Sequence, residues 1–218
     1  LLDNVIVFDY AHVGVQVNGA ANVLTTVHTW NGGGGGIEVN AYQTRLVDCY
    51  LDYNLLRIAA PSETVVEDTF FLFTGAVLAA GADGAMADVV FRHNTFYGPP
   101  ANGSVALAGA FNRSAVKNVV VADDVSGATV AARLTRTIKA PANETGGYPS
   151  LAPASVDFGD ALLFPWIDYV QVTVSYHRSS HYVSYEGTRV VIEPDPLGVG
   201  WVGRTLSHVE VRQAMPGL

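Results

Sequence analysis

Cysteine and basic charge are what this chain has least of. Cys49 is the only cysteine in 218 residues, so no intrachain disulfide can form. With no base supplied by any nearby sequence pattern, Cys49 reads as a small buried apolar residue rather than a nucleophile. Lys and Arg number 12 against 20 Asp and Glu, a formal net charge of −8, and no basic stripe is visible. Affinity for a nucleic-acid backbone comes largely from clustered cations, so that class of partner is excluded. No run approaches the roughly 20 apolar residues that span a bilayer as a helix. The five glycines from Gly32 to Gly36 lack the Lys-Ser/Thr ending of a phosphate loop. No signal-peptide pattern precedes Leu1, which already reads as part of a repeating unit, so the chain is expected to be a processed product or part of a longer protein.

What is abundant is apolar residues, 49%, together with 22 glycines. Little charge with many tight-corner residues fits strands stacked on both sides better than it fits helices. Two stretches say nearly the same thing: Thr64-Val-Val-Glu-Asp-Thr-Phe-Phe71 and Val89-Val-Phe-Arg-His-Asn-Thr-Phe-Tyr97. The first strand of this unit recurs at Asn4 to Asp9, Val23 to His28, Arg45 to Cys49 and Asn118 to Asp123. A second strand recurs in step at Gly14 to Val17, Gly36 to Val39, Leu55 to Ile58, Ala76 to Ala79, Ser104 to Leu107 and Ala128 to Ala131. Spacings of roughly 19 to 29 residues are those of a solenoid, whose units bury their apolar faces by stacking on neighbours. Loops such as Gly32 to Gly36 and Pro99 to Gly103 are expected to absorb the differences in length.

The text Phe91-Arg-His-Asn-Thr-Phe96 resembles the Asn-containing corners of the right-handed parallel β-helix, or pectin-lyase-like, superfamily, and the resemblance covers residues 1 to about 140. It implies an all-β parallel β-helix, for which the recurring strands give about six coils, and, for function, action on a polysaccharide. The catalytic signatures of its enzymes do not carry over. Arg92-His93-Asn94 lacks the acidic residue and aromatic lead-in of pectate lyases. Asp123-Asp124 resembles the paired aspartates of polygalacturonases, but without the Asn-Thr-Asp before and the Gly-His-Gly after. The catalytic residues therefore stay unassigned.

Strand alternation places Val15, Val17, Ile37, Val39, Leu56 and Ile58 inside, and Gln16, Glu38 and Arg57 outside. Coils about 4.8 Å apart set Glu38 beside Arg57. Either a surface ion pair results, or these three form one wall of a polar groove for sugar hydroxyls or a uronate. Asn18 and Asn40 fall at equivalent corners, where an amide can bond its neighbour one coil away. The register of Asn94 stays open between Asp68 with Asp48 and Thr69 with Cys49, because a slip of one residue exchanges faces. His28 and Trp30, just before the glycine run, are candidate substrate-binding residues. Trp30 either lies exposed against a sugar ring or stacks inside with Tyr50, Phe70 and Phe96, and His28 is either a corner hydrogen-bonder or a catalyst. Glu67, Asp68, Arg92 and His93 sit in adjoining coils, either as a solvated face or as a group able to do acid–base work on a glycan.

The pattern stops after Thr135, and a Pro- and Gly-rich linker is expected over 141–153. Longer alternating strands follow over 154–218, predicting a small antiparallel sheet or sandwich. His177, Arg178, His181 and Tyr182 read as a hairpin turn, with too few ligands for a metal. Neither a metal nor another cofactor is expected. Asn102-Gly-Ser104, Asn112-Arg-Ser114 and Asn143-Glu-Thr145 match the N-glycosylation acceptor pattern in segments read as loops, which points to an extracellular or cell-surface setting. Two functions remain in view: a carbohydrate-active or carbohydrate-binding protein working along the outer face, and a non-catalytic structural module of an extracellular assembly. In either, an uncapped solenoid end calls for further coils or a partner subunit at the N-terminal side.

Overall fold

The computed structural model describes residues 1–98, 104–122, 125–126, 135–140, 154–159, 162–175, 181–194 and 206–213. It divides into two compact units, Leu1–Arg133 with Ala214–Leu218 and Leu134–Gln213.

The first unit is a parallel β-helix with three faces per turn. On the first face the strands Asn22–Trp30 (in its first half), Thr44–Val47, Ser62–Glu67, Met86–Arg92 and Val116–Ala122 pair in parallel, and Leu2–Phe8 pairs with Asn22–Trp30. On the second face Val15–Val17, Ile37–Val39, Leu56–Ala59, Ala76–Ala79 and Val105–Ala108 pair in the same sense. A third face appears between them, which the two-strand reading missed: the end of Asn22–Trp30, then Tyr50–Asp52, Phe70–Leu72, Thr95–Tyr97 and Val125–Ser126. About four turns carry all three faces at full length, rather than the six expected. Leu2–Phe8 begins level with Leu24 and so lacks the start of its first face, and the expected sixth second-face strand at Ala128 to Ala131 lies outside the described residues.

The interior is built from columns one residue wide. Leu24, Leu46, Val66 and Phe91 line the first face, Ile37, Leu56 and Ala76 the second, and Thr29, Leu51, Phe71 and Phe96 the third, all almost fully buried. Between faces the chain turns on single residues with positive φ that recur level with one another. Ala21, Gln43, Glu63, Asp88 and Asn118 form one such corner column, Asn4, Thr26, Asp48, Asp68 and His93 a second, and Asp9, Asn31, Tyr53, Phe73 and Gly98 a third. A single left-handed residue bends the strand sharply without breaking the ladder on either side, which keeps the coils in register.

These corners settle the open register. Asp48, Asp68 and His93 share a column, and Asn94 is level with Thr69 and Cys49 inside the coil. Asn94 is fully buried; its Oδ1 accepts from the Thr69 amide at 3.0 Å and its Nδ2 donates to the Val66 carbonyl at 3.0 Å. Cys49, 2% exposed, lies in the same interior column, and burial pushes its thiol pKa up. Asn18 and Asn40 do bond across coils, Nδ2 of Asn40 donating to Oδ1 of Asn18 at 3.2 Å.

The glycine run is not a slack loop. Its backbone bonds both neighbouring turns, Gly33 to the Tyr10 carbonyl at 2.9 Å and Gly36 to the Leu55 carbonyl at 2.9 Å. A Cβ on Gly32 would come within 2.0 Å of the Tyr10 ring, and one on Gly34 within 2.2 Å of the His12 carbonyl oxygen. Close approach of backbone to the preceding turn, not tolerance of length, explains these two glycines.

In the second unit, Thr135–Ala140, Leu206–Arg212 and Tyr169–Ser175 form one antiparallel sheet, and Ala154–Asp157, Arg189–Pro194 and His181–Glu186 another. Thr135–Ala140 thus belongs to this unit rather than to the helix. One core of Phe158, Leu162, Ile167, Val190, Ile192, Val209 and Val211 joins the two sheets. His181 and Tyr182 lie in a strand, while His177 and Arg178 fall outside the described residues. Helix among the described residues is limited to a three-residue turn, Arg113–Ala115.

Candidate functional site

Strand pleating and the corner columns decide what each turn shows to solvent. On the second face Gln16, Glu38 and Arg57 stack as the alternation requires. Glu38 accepts from Gln16 Nε2 at 3.3 Å and from Arg57 at 3.3 Å, and Gln16 accepts from Asn18 Nδ2 at 3.4 Å. The ladder satisfies itself, and Arg57 is 44% exposed at its side chain, so its ion pair is worth less than about 1 kcal/mol.

His28 and Trp30 point outward from the third face, so the structure does not gather the five predicted binding residues into one place. The His28 ring meets Tyr50 edge-on at 4.5 Å, and its Nε2 is buried without a hydrogen-bond partner among the described residues. Nε2 of His28 thus makes no corner hydrogen bond among the described residues. Trp30 is 49% exposed and tilts against Phe8 at 6.2 Å; it lies outside, not in the interior stack. Tyr50 and Phe70 are also on the outside, stacked on each other at 5.1 Å, whereas Phe96 is inside against Phe71.

Where the first face turns into the third, a charged group converges. Glu67 ends the strand Ser62–Glu67 level with Arg92, and Asp68 and His93 are the corner residues beside them. Glu67 Oε1 accepts from Arg92 Nε at 2.7 Å and also from its terminal nitrogen, while Arg45 approaches Oε2 at 3.7 Å. Both oxygens of Glu67 are thus engaged by guanidinium groups, which leaves it poorly placed to deliver a proton. His93 Nδ1 lies 3.8 Å from Asp68 Oδ1, both about half exposed. Glu67, Asp68 and His93 each offer a ligand atom within 4.8 Å of the others, but a cation there would have to displace two guanidinium groups from Glu67 and sit beside their charge. The donor set suits an anionic or hydroxyl-bearing ligand better than a metal. The carriers of this site were legible in the repeat at Glu67-Asp68 and Arg92-His93; Arg45, one turn away on the outer row, was not.

One short strand from this corner lies a feature that pattern reading gave only at Trp30. The third corner column and the strand before it expose Trp30, Tyr53, Phe73 and Tyr97 on four successive turns. Tyr53 and Phe73 stack at 5.0 Å, and Phe73 meets Tyr97 edge-on at 5.5 Å. The signal was a corner residue that changes type, from Asn31 to Tyr53 and Phe73, once the third column is aligned.

Of the three sequons, Asn102 and Asn143 lie outside the described residues. Asn112 is exposed at the start of the Arg113–Ala115 turn, where its Oδ1 accepts from the Ser114 amide at 3.2 Å and from the Ser114 hydroxyl at 2.9 Å. Asp123 and Asp124 also lie outside the described residues.

No family model matches the chain. It is 30% identical over 211 residues to the polygalacturonase QRT3 of Arabidopsis thaliana, a match that takes in 91% of this chain and 43% of that protein. The chain therefore spans less than half the length of that curated relative. Among solved structures it is similar to the tailspike protein gp49 of Acinetobacter baumannii bacteriophage Fri1, a capsular polysaccharide depolymerase, at 11% identity and a TM-score of 0.24 over 98% of this chain and 57% of that one. Architecture and sequence likeness agree with the pectin-lyase-like parallel β-helix superfamily, and with no narrower family.

Proposed function

We propose that this β-helix protein acts on a polysaccharide outside the cell, binding it along the outer surface where the first face meets the third. The observation that carries the reading is the convergence of Glu67, Asp68, Arg92 and His93 at one corner, beside a row of exposed rings, on a rigid parallel scaffold. Ring surface with a few fixed polar groups is the chemistry that sugar chains need: apolar contact for C–H groups, and hydrogen-bonding partners for hydroxyls. The 30% likeness to a protein named a polygalacturonase supports the same substrate class.

Asp68 and His93 are the groups at this corner left free to move a proton, because both oxygens of Glu67 are taken. The same engagement of Glu67 favours the carbohydrate-binding form of this reading, a protein that binds the polysaccharide without cleaving it. Offering the chain a panel of neutral and uronate-containing polysaccharides, and measuring retention alongside new reducing or unsaturated ends, separates the two. Cleavage that Asp68→Asn abolishes while retention persists supports catalysis at this corner. Retention without new chain ends supports the binding form, and no retention of any polymer overturns the polysaccharide reading.

Two further parts of the proposal concern setting and neighbours. Asn112 accepts an N-glycan when the protein passes through a secretory pathway; its exposure supports this, and loss of a glycosidase-sensitive mass increment in Asn112→Gln tests it. The outer edges of Leu2–Phe8 and Val15–Val17 pair with no strand among the described residues, and an open concavity there is lined by apolar residues such as Leu2 and Leu24 together with Gln16, Asn18 and Asn22. Unpaired strand edges invite a covering strand, and we assign that place to further coils or a partner subunit. Sedimentation at low concentration, with hydrogen exchange of Leu2–Phe8, tests it: a monomer with those amides protected is the contrary result.

A further inference from the structure

Trp30, Tyr53, Phe73 and Tyr97 are 49, 66, 46 and 53% exposed, so burial does not account for them. Nor does the backbone. Tyr53 and Phe73 hold φ values of 58° and 50°, a region that bulky side chains seldom adopt, while the level positions in other turns carry Asp9, Asn31 and Gly98, types that suit it. Bulky rings at exposed corner positions, against local preference and with only partly buried ring contacts in return, mark a surface used for something else.

We infer that this row is a platform for an uncharged stretch of polysaccharide lying parallel to the solenoid axis, about one sugar ring to each turn. The inference rests on the polysaccharide reading above and adds the direction of the chain and the charge class of its sugars. Direction follows from spacing. Ring centroids are 5.0 Å apart from Tyr53 to Phe73 and 5.5 Å from Phe73 to Tyr97, close to the strand repeat of about 4.8 Å and comparable to the advance per residue of an extended pyranose chain. A separation of 5.0 Å exceeds the contact thickness of two carbon surfaces, about 3.5 to 4.0 Å. Tyr53 and Phe73 are therefore offset rather than face to face, which leaves part of the stack open to sugar C–H groups, and Tyr97 stands edge-on to Phe73.

Charge class follows from what borders the row. The outward residues of the third face are Ile6, His28, Tyr50, Phe70 and Thr95 in one column and Phe8, Trp30, Asp52, Leu72 and Tyr97 in the next. No Lys or Arg is among them. Asp52 lies in the second of these columns and Asp9 in the corner column beside it, and the guanidinium groups of Arg45 and Arg92 are directed to Glu67 on the first face. With a chain net charge of −8, a polyanion laid along the row would meet carboxylates, while hydroxyls of an uncharged chain would find acceptors.

The test compares polygalacturonate with its carboxyl-reduced, neutral form, together with soluble neutral glycans such as xyloglucan and galactomannan, by affinity electrophoresis and calorimetry on the 218-residue chain. The variants are Trp30→Ala, Tyr97→Ala, Tyr53→Asn and Phe73→Asn, asparagine being chosen because it keeps the left-handed corner; circular dichroism and melting confirm their folding. The expected result is preference for neutral polymers, with each variant weakening that binding roughly two- to tenfold. Preference for the polyanion, or neutral binding unchanged in all four variants, overturns the platform and leaves the polysaccharide reading standing. Failure to retain any polymer overturns both. A self-associated chain that these variants convert to monomer assigns the row to contact between copies and overturns the platform as well.

Discussion

Two ring pairs on adjoining turns of the same solenoid invite comparison. Phe71 and Phe96 stack at 4.5 Å with planes 9° apart and are fully buried; Tyr53 and Phe73 stack at 5.0 Å with planes 24° apart and stand in solvent. Register makes both pairs, because any column of a parallel solenoid brings like residues level with one another. Burial separates them. The inner pair removes large apolar area from water, whereas the outer pair stays about half exposed and occupies corner dihedrals that its side chains disfavour. Stacking alone therefore says little about stability; the side of the strand on which it occurs says most.

The largest effect expected from breaking this contrast is in the interior. Phe96→Ala should cost about 3–5 kcal/mol, since the neighbouring turns cannot collapse into the void without losing register; equilibrium urea unfolding checks it. Asn94→Ala comes next, at about 1–3 kcal/mol, because the Thr69 amide and the Val66 carbonyl would lose the buried partner that Asn94 gives each of them. In the second unit Gln213 plays a comparable part. It is 3% exposed, accepts from the Phe164 amide at 3.0 Å and donates to the carbonyls of Phe164 and Trp166, so Gln213→Leu should cost a similar amount, read by melting of that unit.

On the outer side the sign should reverse. Tyr53→Asn replaces a ring by a residue at ease with positive φ, so stability should stay the same or rise by up to about 1 kcal/mol, while glycan retention falls. A clear loss of stability would show that the outer pair is structural and would erase the contrast. The smallest effect concerns Asp157, whose carboxyl is held below its ordinary 3.8, chiefly by the hydrogen bond from the Gly159 amide and then by the Thr188 hydroxyl. A lowered folded pKa means that this contribution is present above pH 3.8 and is lost as pH falls through the folded value. Asp157→Asn should therefore lower the melting temperature slightly at neutral pH, where the contribution is fully present, and flatten the acid limb of the profile, where the wild type loses it.

The same contrast shows why parts of this protein could be read from its residues and parts could not. Gln16, Glu38 and Arg57 were placed correctly because their strand alternates cleanly and neighbouring strands match without a gap. Glu67-Asp68 and Arg92-His93 were found as a group because the repeat aligns them. The register of Asn94 stayed open because the text fits two alignments until it is known that Asp48, Asp68 and His93 each turn the corner alone. A one-residue bend has no composition signature beyond a tolerance for positive φ, and here Thr26, Tyr53 and Phe73 fill it alongside Asn and Asp, although their side chains disfavour it. The third face, three residues per turn, was too short to show a period of its own.

Repetition and alternation, both local in the chain, were enough to establish a parallel stack, its second face and the antiparallel character of the strands that follow. The side on which a ring lands depends on how many residues turn each corner, and that is set by hydrogen bonds to the turns above and below. For this reason Trp30 outside, Phe96 inside, the engagement of Glu67 by two guanidinium groups and the exposed row from Trp30 to Tyr97 emerged only once the coils were stacked.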